Sequence, residues 1–361
     1  MAFYEFRDIR IMGIAVAIPR NTIPLEAVMP ALGRETVERF RDKAGIDYLH
    51  IAIKSQTASD LGFVASDELL RVNKINKSDI GFVIFISRTP DYRSPATATV
   101  LHYRLDLSQD CIAFDINMGG AGFFYGLQIG CSLLGSTNKG LGLIIMGDTS
   151  SKEVSSSDPA FLMLGDCASA VILEKTPGSG QLYVQTGSDG GKLRSFYIPS
   201  GGFRMLNKKN ELLIQNSDFL RTRDNLFIDW SEFMSFAKEE MDNYINDFLK
   251  KFNRSLKDFN ICVYAGLDHQ GAESYQETHK ADQIIAPFVT SNSIYYNGST
   301  IPYYLVDNFN GKSDVELHVL GVGYGEGLSW GLTDFFVNTR NLLPLIETDE
   351  VFHEGDISHD L

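Results

Sequence analysis

The chain has 361 residues, 44% of them hydrophobic and 22% charged, with a formal net charge of −14. This suits a large packed core in two domains or two closely packed halves, and it excludes a disordered or fibrous protein. The acidic balance excludes a free-standing nucleic-acid binder, and no run approaches the ~20 apolar residues of a membrane span.

Along the chain, short apolar runs alternate with amphipathic stretches, the pattern of an α/β protein. Residues 82–86, 142–146 and 168–173 read as buried strands. Between the first two, residues 121–134 have helical spacing and are apolar nearly all round, which predicts a buried central helix. Residues 178–224 are rich in Gly, Ser and basic side chains and read as a functional loop joining two halves. Residues 230–252 then read as one long amphipathic helix and 260–264 as a strand. A helix opens at Thr300, with Pro302 tolerated in its first turn. Strands at 315–320 and 328–337 flank a Gly-rich turn.

The order of elements repeats, so the chain divides into a first half (1–177), a connecting region (178–224), a second half (225–340) and a tail (341–361). The tail holds six acidic residues and no Lys or Arg, and is expected to fray or dock weakly.

Residues 192–223 carry seven basic and two acidic side chains. They form either a solvated surface or a docking patch for an anion such as a CoA phosphate or an acidic carrier protein, with Arg194, Arg204, Lys208 and Lys209 as candidates. Cys111, Cys131, Cys167 and Cys262 have no zinc or redox spacing, and no signal peptide is visible. Free buried thiols in a reducing cytoplasm are the expectation, with no metal and no resident cofactor.

The segment Phe114-Asp-Ile-Asn-Met-Gly-Gly-Ala-Gly-Phe-Phe-Tyr-Gly-Leu127 reads as a strand entering a glycine-rich turn that opens a helix. Such a turn either aims backbone N–H groups at a reacting group or simply lets the helix pack closely.

Together with Leu164-Gly-Asp-Cys-Ala-Ser-Ala170, Asp268-His-Gln-Gly-Ala272 and Gly323-Tyr-Gly-Glu-Gly-Leu-Ser-Trp-Gly331, this segment resembles the β-ketoacyl-acyl-carrier-protein synthase III branch of the thiolase-fold acyltransferases. Lesser echoes at Ala44-Gly-Ile46, Thr89-Pro-Asp-Tyr92, Ser94-Pro-Ala-Thr-Ala98 and Pro199-Ser-Gly-Gly202 keep the family's order. The resemblance implies a five-layered αβαβα fold of two similar halves, acting as a homodimer or with a related condensing subunit. It also implies acyl-CoA and malonyl-carrier-protein thioesters as ligands, in fatty-acid, polyketide or related acyl-chain biosynthesis.

Carried over residue by residue, the resemblance puts Gly120 where the family has its nucleophilic cysteine, so the standard acyl-enzyme step is expected to be lost. It implies His269 as catalytic histidine and Glu326 as donor of the second oxyanion amide through its backbone. It implies Lys43 and Arg39 at the CoA entrance. The catalytic asparagine falls on Tyr295 in an ungapped match and on Asn297 after a two-residue deletion. Three readings stay open: an altered acyltransferase or malonyl decarboxylase, a non-catalytic partner subunit, and an engineered Cys→Gly change.

Overall fold

The computed structural model describes residues 2–206, 212–213, 221–266, 294–311 and 314–353. Two mixed sheets carry the chain. The first has six strands in the order Ile346–Thr348, Ile9–Pro19, Asp166–Lys175, Leu141–Thr149, Ile80–Ile86, Ile112–Ile116. The second has five, in the order Ala2–Arg7, Gln181–Ser188, Ser329–Asn338, Glu316–Gly325, Ile261–Ala265. Their pairing follows one rule. Ile80–Ile86 lies parallel to Leu141–Thr149, and Ile261–Ala265 lies parallel to Glu316–Gly325. Each second strand then turns antiparallel into the next, Asp166–Lys175 or Ser329–Asn338. These are the two similar halves.

Strand periodicity sets the layers, because successive side chains leave opposite faces of a sheet. Ala15, Ala17, Val83, Phe85 and Ile145 face outward onto Leu61, Ala65 and Leu69 of the Ala58–Val72 helix. Ile14, Val16, Ile84, Ile86, Ile144 and Met146 face inward. There they meet the Gly122–Ser136 and Thr300–Phe309 helices, which lie between the sheets. Phe233, Phe236 and Phe248 cover the outer face of the second sheet, with Tyr244 stacked on Trp330 at 4.7 Å. The result is the five-layered αβαβα order. The central helix sits close because glycines face the sheet: a Cβ on Gly126 would lie 2.6 Å from Ile86 Cδ1, and one on Gly130 would lie 2.9 Å from Ile144 Cδ1.

Three expectations are corrected. The helix read over 230–252 is two, Trp230–Glu239 and Met241–Lys251. The backbone opens to φ −107° at Glu240, whose carboxylate is tied to Lys192 Nζ (2.6 Å) and to the Tyr244 hydroxyl (2.8 Å). The loop read over 178–224 begins with the Gln181–Ser188 strand, which buries Leu182 and Val184 between two antiparallel neighbours.

The tail, as far as residue 353, is docked rather than frayed. Ile346–Thr348 pairs with Ala17–Pro19, and Gln56 Nε2 donates to the Thr348 and Glu350 carbonyls. The Phe352 ring meets Phe63 and the Arg104 guanidinium, each at 4.6 Å. His269 with its flanking Asp268–Ala272 segment, Lys208 and Lys209 lie outside the described residues.

Candidate functional site

The Ile112–Ile116 strand ends in the turn 117–121, and Gly122 N–H donates to the Gly119 carbonyl (2.7 Å) to start the central helix. The turn is enclosed. A Cβ on Gly120 would overlap the Tyr295 hydroxyl and the Tyr324 carbonyl oxygen and would lie 2.9 Å from Gly325 Cα. Two of those three obstacles are backbone, which no rotamer change removes. A Cβ on Gly119 would strike the Glu326 carboxylate and lie 2.7 Å from Arg88 Nε. Gly119 and Gly120 thus permit close approach of another chain segment, whereas Gly126 and Gly130 serve helix packing.

Tyr295 is placed by its backbone. Its N–H donates to the Met163 carbonyl (2.8 Å), and its own carbonyl accepts from Gly165 N–H (3.0 Å). The Leu164–Ala170 motif therefore clamps it from below. Its next residues are also anchored, since Asp166 accepts from Ala52 N–H, Ser151 N–H and the Ser151 hydroxyl (2.8, 2.9 and 2.6 Å). The Tyr295 side chain is 3% exposed, and its hydroxyl donates to the Tyr324 carbonyl (2.9 Å). Burial, reinforced by the negative charge of Glu326, pushes this phenol well above its ordinary pKa, so it stays a neutral donor.

Beside the turn lies a buried charge cluster. Glu326 Oε2 accepts from Gly120 N–H (3.1 Å), and Oε1 pairs with Arg88 Nε (2.9 Å). Arg88 Nη1 pairs with Glu153 Oε2 (3.0 Å), and the Phe196 ring lies 5.2 Å from its guanidinium carbon. Asp148 accepts from the Ser87 hydroxyl (3.0 Å) and Arg88 N–H (2.7 Å). Burial alone would lower the Arg88 pKa; Glu153, Glu326 and Asp148 outweigh it and hold the guanidinium charged. Burial pushes Glu153 up to about 7 and Asp148 up to about 6, against the opposing pull of Arg88. Arg88 does not offset the burial of Glu153 and Asp148, so these two carboxylates bind a proton more readily than free ones.

The other sequence-derived positions fall as follows. Asn297 is buried at a left-handed φ of 49°, and its Nδ2 donates to Ser150 Oγ (2.9 Å). Ser150 Oγ also lies 3.5 Å from Arg88 Nη2. A Cβ on Gly298 would lie 3.3 Å from the Gly119 carbonyl oxygen, so the 297–298 turn abuts the glycine turn. Gly120, Glu326, Tyr295 and Asn297 are therefore neighbours.

Glu326 does not point away from the turn: its carboxylate reaches the Gly120 amide. Lys43, Arg39, Arg194 and Arg204 are solvent-exposed, with Arg39 3.9 Å from Glu35 on its own helix. All four thiols are buried, and burial raises each pKa, Cys111 to about 11 and Cys262 to about 12. Among the described residues no group of three or more His, Cys, Asp or Glu is placed to hold a metal. No described helix is long and apolar enough to cross a membrane.

Sequence reasoning missed Arg88, Glu153 and Asp148. The one available signal was an arginine set immediately after the wholly buried Ile80–Ser87 run, where a charge needs a partner.

Residues 114–190 match the 3-Oxoacyl-[acyl-carrier-protein (ACP)] synthase III family. A β-ketoacyl-[acyl-carrier-protein] synthase III of Clostridium perfringens is 30% identical over 330 residues, covering 89% of this chain and 97% of that protein. A 3-oxoacyl-(acyl-carrier protein) synthase of Burkholderia xenovorans LB400 shares the fold with a TM-score of 0.86 at 24% identity, over 96% of this chain and 99% of that one. The priming β-ketosynthase of the R1128 polyketide biosynthetic pathway shares it with a TM-score of 0.76 at 17% identity, over 95% and 98%.

Proposed function

The chain belongs to the β-ketoacyl-[acyl-carrier-protein] synthase III family, and we propose that within it this protein handles acyl or malonyl thioesters of CoA or acyl carrier protein without forming a cysteine-bound acyl-enzyme. In this reading Gly120 stands at the nucleophile position. One observation carries it: the space a side chain at 120 would need is taken by the Tyr295 hydroxyl and by the backbone of Tyr324 and Gly325. A simple cysteine-to-glycine change in an otherwise ordinary enzyme would leave a vacancy there. The filled space instead supports a glycine built into the protein, with Tyr295 as its counterpart.

Condensation needs an acyl group held on a nucleophile, so this reading excludes it at the turn. Decarboxylation of a malonyl thioester does not need one. The bond from the malonyl Cα to the carboxylate breaks, CO₂ leaves, and the enolate takes up a proton to give an acetyl thioester. His269 and Asn297 are proposed as the donors that stabilise the enolate oxygen. Lys43, Arg39, Arg194, Arg204, Lys208 and Lys209 are proposed to meet the phosphates of CoA or an acidic carrier. A cytoplasmic location is part of the proposal.

A second reading, a partner subunit of a condensing enzyme, is favoured by the Ile112–Ile116 strand, which closes the six-stranded sheet with its outer edge unpaired among the described strands. Ile112 is 54% exposed there. An open edge next to an apolar side chain suits pairing with a second subunit, identical or related.

Intact-mass measurement after incubation with acyl-CoA, combined with CO₂ release from malonyl-carrier protein, tests the proposal. No mass increase is expected; covalent acylation refutes it. CO₂ release that vanishes in His269→Ala supports the thioester reading. Absence of release, with a cysteine-bearing relative copurifying, supports the partner reading.

A further inference from the structure

The Glu326 carboxylate sits between two donors. One oxygen accepts from Gly120 N–H at 3.1 Å, and the other lies 2.9 Å from Arg88 Nε as an ion pair without hydrogen-bond geometry, which leaves a buried guanidinium donor unused. A bridging carboxylate held by a backbone amide and a guanidinium is a standard way of recognising an acid. A mere counter-ion for Arg88 is not what this position requires, because Glu153 already pairs with Arg88 at 3.0 Å and Asp148 lies against its backbone. A third carboxylate adds repulsion with those two. What offsets the cost is the Gly120 amide, the group at the opening of a 15-residue helix that would otherwise face an anion. The Glu326 side chain is 21% exposed and that of Arg88 8%, while Glu326 Oε1 itself is buried beside the guanidinium.

We propose that the Arg88 guanidinium and the Gly120 N–H form a carboxylate-binding site that Glu326 fills as an internal plug, and that a small external carboxylate takes the site when Glu326 is withdrawn. The plug keeps the anion-stabilising amide of the turn out of use. The ligand class is a small carboxylic acid, since the Glu326 side chain it would replace brings a carboxylate on a stem of only two methylenes to the Gly120 amide and Arg88. The inference rests on the family reading only for the meaning of the turn; the site itself stands on the three residues.

The test is the thermal midpoint of wild type and Glu326→Ala in sodium acetate or formate, against sodium chloride and acetamide at equal concentration. The midpoint of Glu326→Ala is expected to rise by about 2 °C or more with acetate and formate alone, with wild type unmoved. A folded Glu326→Ala that ignores both acids overturns the proposal, as does a wild type that responds equally. If Glu326→Ala does not fold, Glu326→Ser, whose side chain is too short to carry an acceptor to the Gly120 amide, keeps the test open. Hydrogen exchange at the Gly120 amide is then expected to rise about tenfold, and unchanged exchange overturns the plug. Covalent acylation of wild type would remove the proposed function and leave the acetate result standing, so the two failures are distinguishable.

Discussion

The Tyr295 hydroxyl stands where the first side-chain carbon of residue 120 would have to go, held there by its hydrogen bond to the Tyr324 carbonyl at 2.9 Å. Gly120 and Tyr295 are one fitted pair. Gly120→Cys is therefore expected to give no acyl-enzyme and to cost about 2–3 kcal/mol, because the Tyr324 carbonyl and Gly325 Cα obstruct the site even after the phenol moves. Denaturant unfolding and intact mass check both halves.

Tyr295→Phe removes the hydroxyl and its hydrogen bond, at a cost of about 1–2 kcal/mol. Added to Gly120→Ala, it relieves one of the clashes. The two changes together are expected to cost less than their sum by about 1 kcal/mol or more in a double-mutant cycle. Strict additivity would mean that the two residues do not meet.

Among the described residues Arg88 is the cation that pairs with both Glu153 and Glu326. Arg88→Met leaves buried carboxylates uncompensated and is expected to cost about 3–5 kcal/mol, measured by chemical unfolding at pH 7.5. Arg88→Lys is expected to recover little, since one ammonium cannot reach both carboxylates in the guanidinium geometry.

Stability should depend on pH through the same cluster. Glu153 rises to about 7 and Asp148 to about 6 in the folded chain, where they face Arg88, Glu326 and each other, with Asp166 near Glu153. Both are raised above their unfolded values, so the folded state holds more protons. Their contribution is full below the unfolded carboxylate range and is lost as pH rises through about 6 to 7. The thermal midpoint is expected to fall from pH 5.5 to pH 8, with Glu153→Gln flattening the slope. A slope that survives Glu153→Gln and Asp148→Asn together would assign it elsewhere.

All four cysteines are buried with raised pKa values. Native protein at pH 8 is expected to show no thiol reacting at the rate of free cysteine with a disulfide reagent, and four after denaturation. A fast native thiol would reopen nucleophilic catalysis at another position.

The alternation of apolar runs, the glycine turn and the order of motifs were enough to predict two similar α/β halves, because periodicity and turn chemistry are local properties of the chain. They misjudged residues 181–188 and the tail, whose order depends on strands supplied by distant segments. The glycine-rich turn around residue 120 was legible as the entry to a buried helix. What fills the space beside Gly120 was not. Whether Tyr295 or Asn297 reaches the turn, and whether Glu326 points in or out, is decided by contacts such as Glu326 to the Gly120 amide, 206 residues apart. Only the packing of the closing turn against the central helix, backbone to backbone at Gly120 and Gly325, sets those distances.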